Sequence, residues 1–158
     1  MSHTPKPKPV ADSQVEMTEI VNPEDTNPLG TIFGGRVMAL IDKAAAVASM
    51  RHCRNTVVTA SVDRVDFISP IRLGMIVTVL ASVNQAFRTS LEVGAKVFSE
   101  DPITGERKHT CTSYCTFVAL DAKGEPTPVP PLELRTDEER RRAEDAERRR
   151  RGRLDGAS

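Results

Sequence analysis

Hydrophobic and polar positions divide the chain into one helical stretch and several extended ones. From Arg36 to about Arg51 there is no Pro or Gly, and Ala, Leu and Met recur, which predicts a helix. Val37, Met38, Leu40, Ile41, Ala44, Ala45, Val47 and Ala48 make it apolar almost all round, the pattern of a helix buried on most of its surface. Four β-branched runs follow, Thr56 to Ile68, Ile76 to Phe87, Ser90 to Ser99 and Lys108 to Leu120, separated by turn formers. In the third, Leu91, Val93, Ala95 and Val97 alternate with Glu92 and Lys96, as in a half-buried strand. Asp101 to Gly105 predicts the hairpin loop into the last run. A looser alternation from Val15 to Val21 predicts a first strand, and the turn formers from Asn22 to Pro28 predict a loop after it. One long buried helix with long antiparallel strands implies an α+β fold in which a curved sheet wraps the helix.

The ends differ from this body. Residues 1–13 are rich in Pro and Lys and are expected to form a disordered arm, leaving 14–131 as the folded domain. Residues 132–158 are expected to be a charged helix or tail. Thr136 followed by Glu139 reads as a capping box, so a solvated helix could start there. The arginine runs 140–142 and 148–151 invite a nucleic-acid reading, but between Thr136 and Ser158 eight basic residues face seven acidic ones, which argues against it. Over the whole chain 22 Lys and Arg balance 22 Asp and Glu, so any anionic ligand must be held locally rather than by a net field. No apolar run is long enough to span a bilayer or to serve as a signal-peptide core, so a cytoplasmic protein without membrane attachment is expected. Cys53, Cys111 and Cys115 form no C-x-x-C pair, and reduced, partly buried thiols are the reading.

Three features could carry chemistry. Asp42 has Met38, Ala39, Ala45 and Ala46 at three and four positions either side, so no cation stands within that reach on the helix. A carboxylate on an apolar helix costs free energy, which marks either a functional group or a narrow exposed stripe beside Lys43. The segment from Gly30 to Gly35 runs into the helix, where unpaired N–H groups and the dipole suit an oxyanion, although a Gly pair that merely ends a loop looks the same. Asn27 could orient water or a carbonyl, or simply make a turn. His52 and His109 join no ligand-spaced cluster, no G-x-S-x-G elbow surrounds a serine, and no P-loop or G-x-G-x-x-G is present. Neither a metal nor another cofactor is expected.

Taken in order, Asn27-x-x-Gly30-x-x-Phe33-Gly34-Gly35, Leu40-Ile41-Asp42, Arg51-His52-Cys53, the Val57 to Asp63 run, Phe67, and Pro70 to Gly74 resemble the hotdog acyl-CoA thioesterases. The resemblance is to the branch with the bacterial short- and medium-chain enzymes and the brain-type acyl-CoA hydrolase, and it covers roughly 15–131. It implies a hotdog fold, thioester hydrolysis of acyl-CoA without a metal, and homodimers joined edge to edge that often assemble into hexamers as trimers of dimers. It further implies catalytic roles for Asp42 (water-activating or attacking) and Asn27, and substrate binding by Gly34, Gly35, Thr59, Arg88, Thr89 and Ser90. Seven residues separate Gly35 from Asp42, roughly 10 Å along a helix axis, too far for both to serve one thioester. The carbonyl-polarising end and the carboxylate are therefore expected from different protomers. A non-catalytic acyl-CoA or acyl-carrier binding module is the alternative, and a tail that binds another macromolecule is a third reading.

Overall fold

The helix α1 spans Gly34–Cys53. In the computed structural model, which describes residues 5–156, it begins two residues earlier and ends two later than its pattern predicts. Phe33 enters it in an extended conformation, and Arg54 closes it at a left-handed φ of 53° with its N–H on the Met50 carbonyl. Lys8 Nζ caps the free carbonyls of Arg51 and His52 at 2.7 and 2.8 Å. Val37, Leu40, Ile41, Ala44, Ala45 and Ala48 are buried, whereas Met38 and Met50 are 45% and 42% exposed. Burial on nearly all sides is thus not met within one protomer. A single sheet covers one face of α1 and leaves the other open.

That sheet is formed by β2 (Val15–Ile20), β3 (Thr56–Val62), β4 (Ile76–Ala86), β5 (Ser90–Glu100) and β6 (Arg107–Leu120). The order is β2-β4-β5-β6-β3, every pair antiparallel. Leu91, Val93, Ala95 and Val97 on β5 are fully buried and share the core with α1. Register irregularities at Thr59/Ser61, Val83/Gln85 and Val97/Phe98 supply the local bends that curl the sheet around the helix. The expected α+β architecture of a curved antiparallel sheet on a long helix is therefore what the chain adopts.

The strand predicted from Thr56 to Ile68 stops at Val62. Beyond it the chain is tied to β6 by the Asp63 and Ile68 N–H groups, on the Tyr114 and Thr110 carbonyls, and by the Ser113 hydroxyl, which donates to the Asp63 carbonyl. It then crosses the start of α1, where Ile32 N–H donates to the Ile71 carbonyl and Leu73 N–H to Gly30. Backbone pairing to the loop before α1 takes the place of the sheet ladder.

Both ends are corrected as well. The arm expected to be disordered is ordered from Lys8: β1 (Lys8–Pro9) pairs parallel with β7 (Leu132–Glu133), and 10–13 form a 3₁₀ turn. Val10 is 5% exposed, and the Ser13 hydroxyl accepts the Val83 N–H and donates to the Val10 carbonyl. One apolar side chain and one satisfied hydroxyl seat a segment whose composition looks unfoldable; 1–4 lie outside the described residues. The charged helix α2 (Asp137–Gly156) is not merely solvated. Thr136 accepts the Glu139 N–H as expected, while the Glu139 carboxylate takes the Arg135 N–H rather than that of Thr136. Ala143 and Ala146 are buried, and Arg149 grips Glu92 of β5 with two 2.8 Å hydrogen bonds. Glu92, an outward position on an alternating strand, is fully buried beneath α2.

Candidate active site

Asp42 sits two turns into α1, half-buried at the border between the packed and open faces of the helix. Across from it, the Thr59 hydroxyl on β3 donates a 2.7 Å hydrogen bond to the Asp42 Oδ1. The bulge between Thr59 and Ser61 bends the edge strand at that point. The carboxylate keeps its second oxygen and lacks a cation: among the described residues no Lys, Arg or His comes within 4.0 Å of it. A carboxylate fixed by one hydroxyl and without a cation partner is placed to accept a proton.

Asn27 lies in the loop before α1 and its side chain is half-buried. Its Oδ1 accepts the N–H groups of Leu29 (3.0 Å) and Thr31 (3.2 Å), and its Nδ2 donates to the Thr31 hydroxyl at 2.9 Å. The residue therefore makes the turn, as the bland reading holds, yet one Nδ2 hydrogen remains to be donated. Arg36 pins the same loop, bonding Glu19 on β2 at 2.6 Å and Asp25 at 3.2 Å. At the helix start the N–H groups of Arg36 and Val37 both point to the Phe33 carbonyl, leaving those of Gly34 and Gly35 without an acceptor among the described residues. A Cβ at Gly34 would lie 3.3 Å from the Phe67 ring, whereas one at Gly35 would meet open space. Gly34 lets the aromatic ring lie on the helix start, and Gly35 keeps its N–H accessible.

The structure brings Asp42 and Thr59 into contact and sets Asn27 beside the helix that carries Gly34 and Gly35. It does not bring Asn27 to Asp42 within the protomer. Arg88 and Thr89 form the tip of the β4–β5 hairpin, closed by the Phe87 N–H on the Ser90 carbonyl. Ser90 faces away from α1, since Leu91 beside it points into the core and the Ser90 hydroxyl meets Arg150 of α2 at 3.3 Å. The cysteines are held as buried thiols: burial first, then the charge of Asp42, pushes Cys115 up to about 12, burial pushes Cys53 up to about 11, and burial raises Cys111 as well, which disfavours the thiolate a nucleophile needs. Among the described residues no cluster of three His, Cys, Asp or Glu is placed to hold a metal ion.

The thioesterase superfamily profile matches residues 29–106, which contain Gly34, Gly35, Asp42, Thr59, Arg88, Thr89 and Ser90 and begin two residues after Asn27. A Bacillus subtilis protein named as the uncharacterized acyl-CoA thioester hydrolase YkhA is 44% identical over 86% of this chain and 79% of its own length. The chain belongs to the hotdog acyl-CoA thioesterases. A hexameric acyl-CoA thioesterase solved without ligand superposes with a TM-score of 0.93 at 44% identity, covering 97% of this chain and 98% of that one. The acyl-CoA hydrolase of Staphylococcus aureus, solved with butyryl coenzyme A and coenzyme A, gives a TM-score of 0.85 at 38% identity over 95% and 94% of the two chains. Structures of that hydrolase with an aspartate, an asparagine and a threonine each replaced by alanine match as well.

Against this family background, three contributions escape a sequence reading. Arg36 follows the two glycines with nothing in its spacing to pair it with Glu19 or Asp25. Phe67 belongs to the run predicted as strand, and only the crossing of 63–75 over α1 puts its ring on Gly34. The α2 arginines look like a solvated charge run, and the one sign of their role is Glu92, an acidic residue on a strand otherwise rich in Val and Ala.

Proposed function

We propose that the chain hydrolyses the thioester of acyl-CoA to a free acid and CoA, with Asp42 as general base or nucleophile. The observation that carries this reading is the Thr59–Asp42 hydrogen bond of 2.7 Å, which holds a carboxylate with no cation partner at the open face of α1. Water attacking the thioester carbon gives up a proton to Asp42, the C–S bond breaks and CoA leaves as the thiol with that proton. Alternatively Asp42 attacks, the C–S bond breaks to expel CoA thiolate, and water hydrolyses the mixed anhydride to free acid and the regenerated carboxylate, its proton going to the thiolate. In either case negative charge develops on the carbonyl oxygen. The free N–H groups of Gly34 and Gly35 at the positive end of the α1 dipole are suited to receive it. The remaining Nδ2 hydrogen of Asn27 can donate to the same oxygen or to the attacking water. The Staphylococcus structures altered at an aspartate, an asparagine and a threonine involve the same three residue types.

The helix start and Asp42 are roughly 10 Å apart on one rigid element, so one thioester draws on two protomers. The edge strand β3 supports this: Val58 and Val62 are 45% and 39% exposed, and Phe67 and Ile68 beyond it 51% and 71%. A bare strand edge flanked by exposed apolar side chains fits a second copy of the chain paired edge to edge, with two equivalent sites per dimer. Assembly of such dimers into a hexamer follows the hexameric relative. A cytoplasmic site of action belongs to the same reading. A rat relative, 32% identical over 92% of this chain but matched over only 39% of its own length, is named cytosolic.

The test is release of free thiol from acyl-CoAs of increasing chain length, by the unaltered chain and by Asp42→Asn. The substitution keeps shape and removes the base, so turnover should fall about 10²- to 10⁴-fold while the melting temperature holds. Full turnover by Asp42→Asn would overturn the assignment.

A further inference from the structure

On the face of the sheet away from α1, a cleft of about 640 Å³ opens between the strands and α2. Gly94 and Lys96 line it, while Val93, Ala95 and Val97, which alternate with them along β5, are buried in the core with α1. The cleft is therefore separate from the face that carries Asp42. At its floor lies the Asn84 side chain, on a residue only 6% exposed. Its Nδ2 donates to Glu92 at 2.9 Å, and Glu92 also accepts from Arg149, so the amide's nitrogen end is fixed. Oδ1 then accepts no hydrogen bond among the described residues. A buried acceptor costs free energy unless something in the cleft donates to it. Glycine at 94 leaves that amide its place: a Cβ there would stand 2.8 Å from Nδ2 and 3.2 Å from Oδ1. A glycine inside a strand packs nothing itself and marks a close approach.

The walls of the cleft are charged. Arg149 is taken up by Glu92, and Asp145 by Arg148. Arg141 and Arg142 share one carboxylate, Glu138, at 3.7 and 2.8 Å. Lys96 and Glu16 have no ionic partner within 4.0 Å among the described residues. They stand on one cross-strand row with Leu80 between them, two strand spacings or roughly 10 Å apart. One positive charge is left over, which suits a carboxylate better than a phosphate dianion. Leu80 and Phe98, both half-buried, add apolar surface to the same cleft.

We infer that this cleft binds a hydroxylated carboxylic acid, whose hydroxyl donates to Asn84 Oδ1, whose carboxylate lies by Lys96 and whose chain lies on Leu80 and Phe98. A volume of this size is that of a small-molecule site. The acid bridges the sheet and α2, so its binding strengthens the docking of the C-terminal helix.

The experiment is calorimetric titration of the full chain, and of its Lys96→Gln and Asn84→Ala variants, with 3-hydroxyoctanoate and octanoate, followed by hydrogen exchange with each acid bound. The unaltered chain should bind the hydroxy acid about three- to tenfold more tightly than octanoate, the span of one neutral hydrogen bond. Asn84→Ala should bring that ratio to about one. Lys96→Gln, at an exposed position, should weaken both acids about three- to tenfold and keep the ratio. Exchange across Asp137–Gly156 should slow with the hydroxy acid bound. Equal affinity for the two acids, no binding of either, or a hydroxyl preference that survives Asn84→Ala overturns the inference. So do affinities indifferent to Lys96→Gln, which place the acids elsewhere, as products at Asp42 would be. Because Asn84 also holds Glu92, the ratio of the two acids decides that arm, and the Lys96→Gln arm stands even where Asn84→Ala folds poorly.

Discussion

Replacing Arg149 with Met tests whether α2 is a working part of the fold. Glu92 is fully buried and accepts two 2.8 Å hydrogen bonds from Arg149 and one of 2.9 Å from Asn84. Arg149 also lies 3.6 Å over the Tyr114 ring. If α2 stayed in place, the orphaned carboxylate would cost about 3–5 kcal/mol. The chain has a cheaper way out. Only Ala143 and Ala146 bury apolar side chains from α2, together about 1–2 kcal/mol, and its remaining polar links at partly exposed sites add up to about 1 kcal/mol each. Undocking α2 and hydrating Glu92 should therefore cost about 3 kcal/mol, the middle of that sum, a fall in melting temperature of about 6–12 °C for a domain of this size. Hydrogen exchange should show amide protection lost across Asp137–Gly156 while α1 and β4 to β6 stay protected. Adding Glu92→Gln should restore most of the docking, since a neutral amide can still pair with Asn84. An Arg149→Met protein with undiminished α2 protection and an unmoved melting temperature would refute the claim that this ion pair seats the helix.

Two further outcomes are expected. If each site takes Asn27 from one protomer and Asp42 from the other, co-refolded Asn27→Ala and Asp42→Asn chains should regain up to about a quarter of the unaltered activity under random pairing. Exchanging mixtures that regain nothing would place both residues in one protomer's site. Stability should also depend on His52, which is fully buried with Nε2 2.6 Å from the Pro130 carbonyl and Nδ1 without a partner among the described residues. Burial above all holds its pKa below the ordinary 6.5, so just under that pH the unfolded chain binds a proton the folded chain refuses. Stability is then fully present above pH 6.5 and is lost as the pH falls below it, and denaturant midpoints between pH 7.5 and 5 should lose that slope in His52→Asn. An unchanged slope would show that other groups set it.

The sequence by itself determined the elements and the family. The unbroken Ala- and Leu-rich run makes α1, strict alternation makes β5, and the ordered motifs from Asn27 to Gly74 carry the likeness to the thioesterases, because these are local or near-local properties of the chain. Asp42 was legible as a carboxylate out of place, since a helical neighbourhood can be read directly from spacing. Tertiary structure alone decided who meets it. The partnership of Thr59 with Asp42 spans 17 residues, and that of Arg149 with Glu92 spans 57. No periodicity encodes such pairs, because they depend on sheet register, on the bulge at Thr59 and on which face of the sheet a terminal helix covers. The same reason explains the arm and the tail. Composition counts how much apolar surface a segment could bury, and 1–13 and 132–158 have little. What seats their described parts, from Lys8 and through Gly156, is a few specific contacts with the finished body: Lys8 on the carbonyls ending α1, Ser13 on Val83, and Arg149 on a glutamate that only the folded sheet has removed from water.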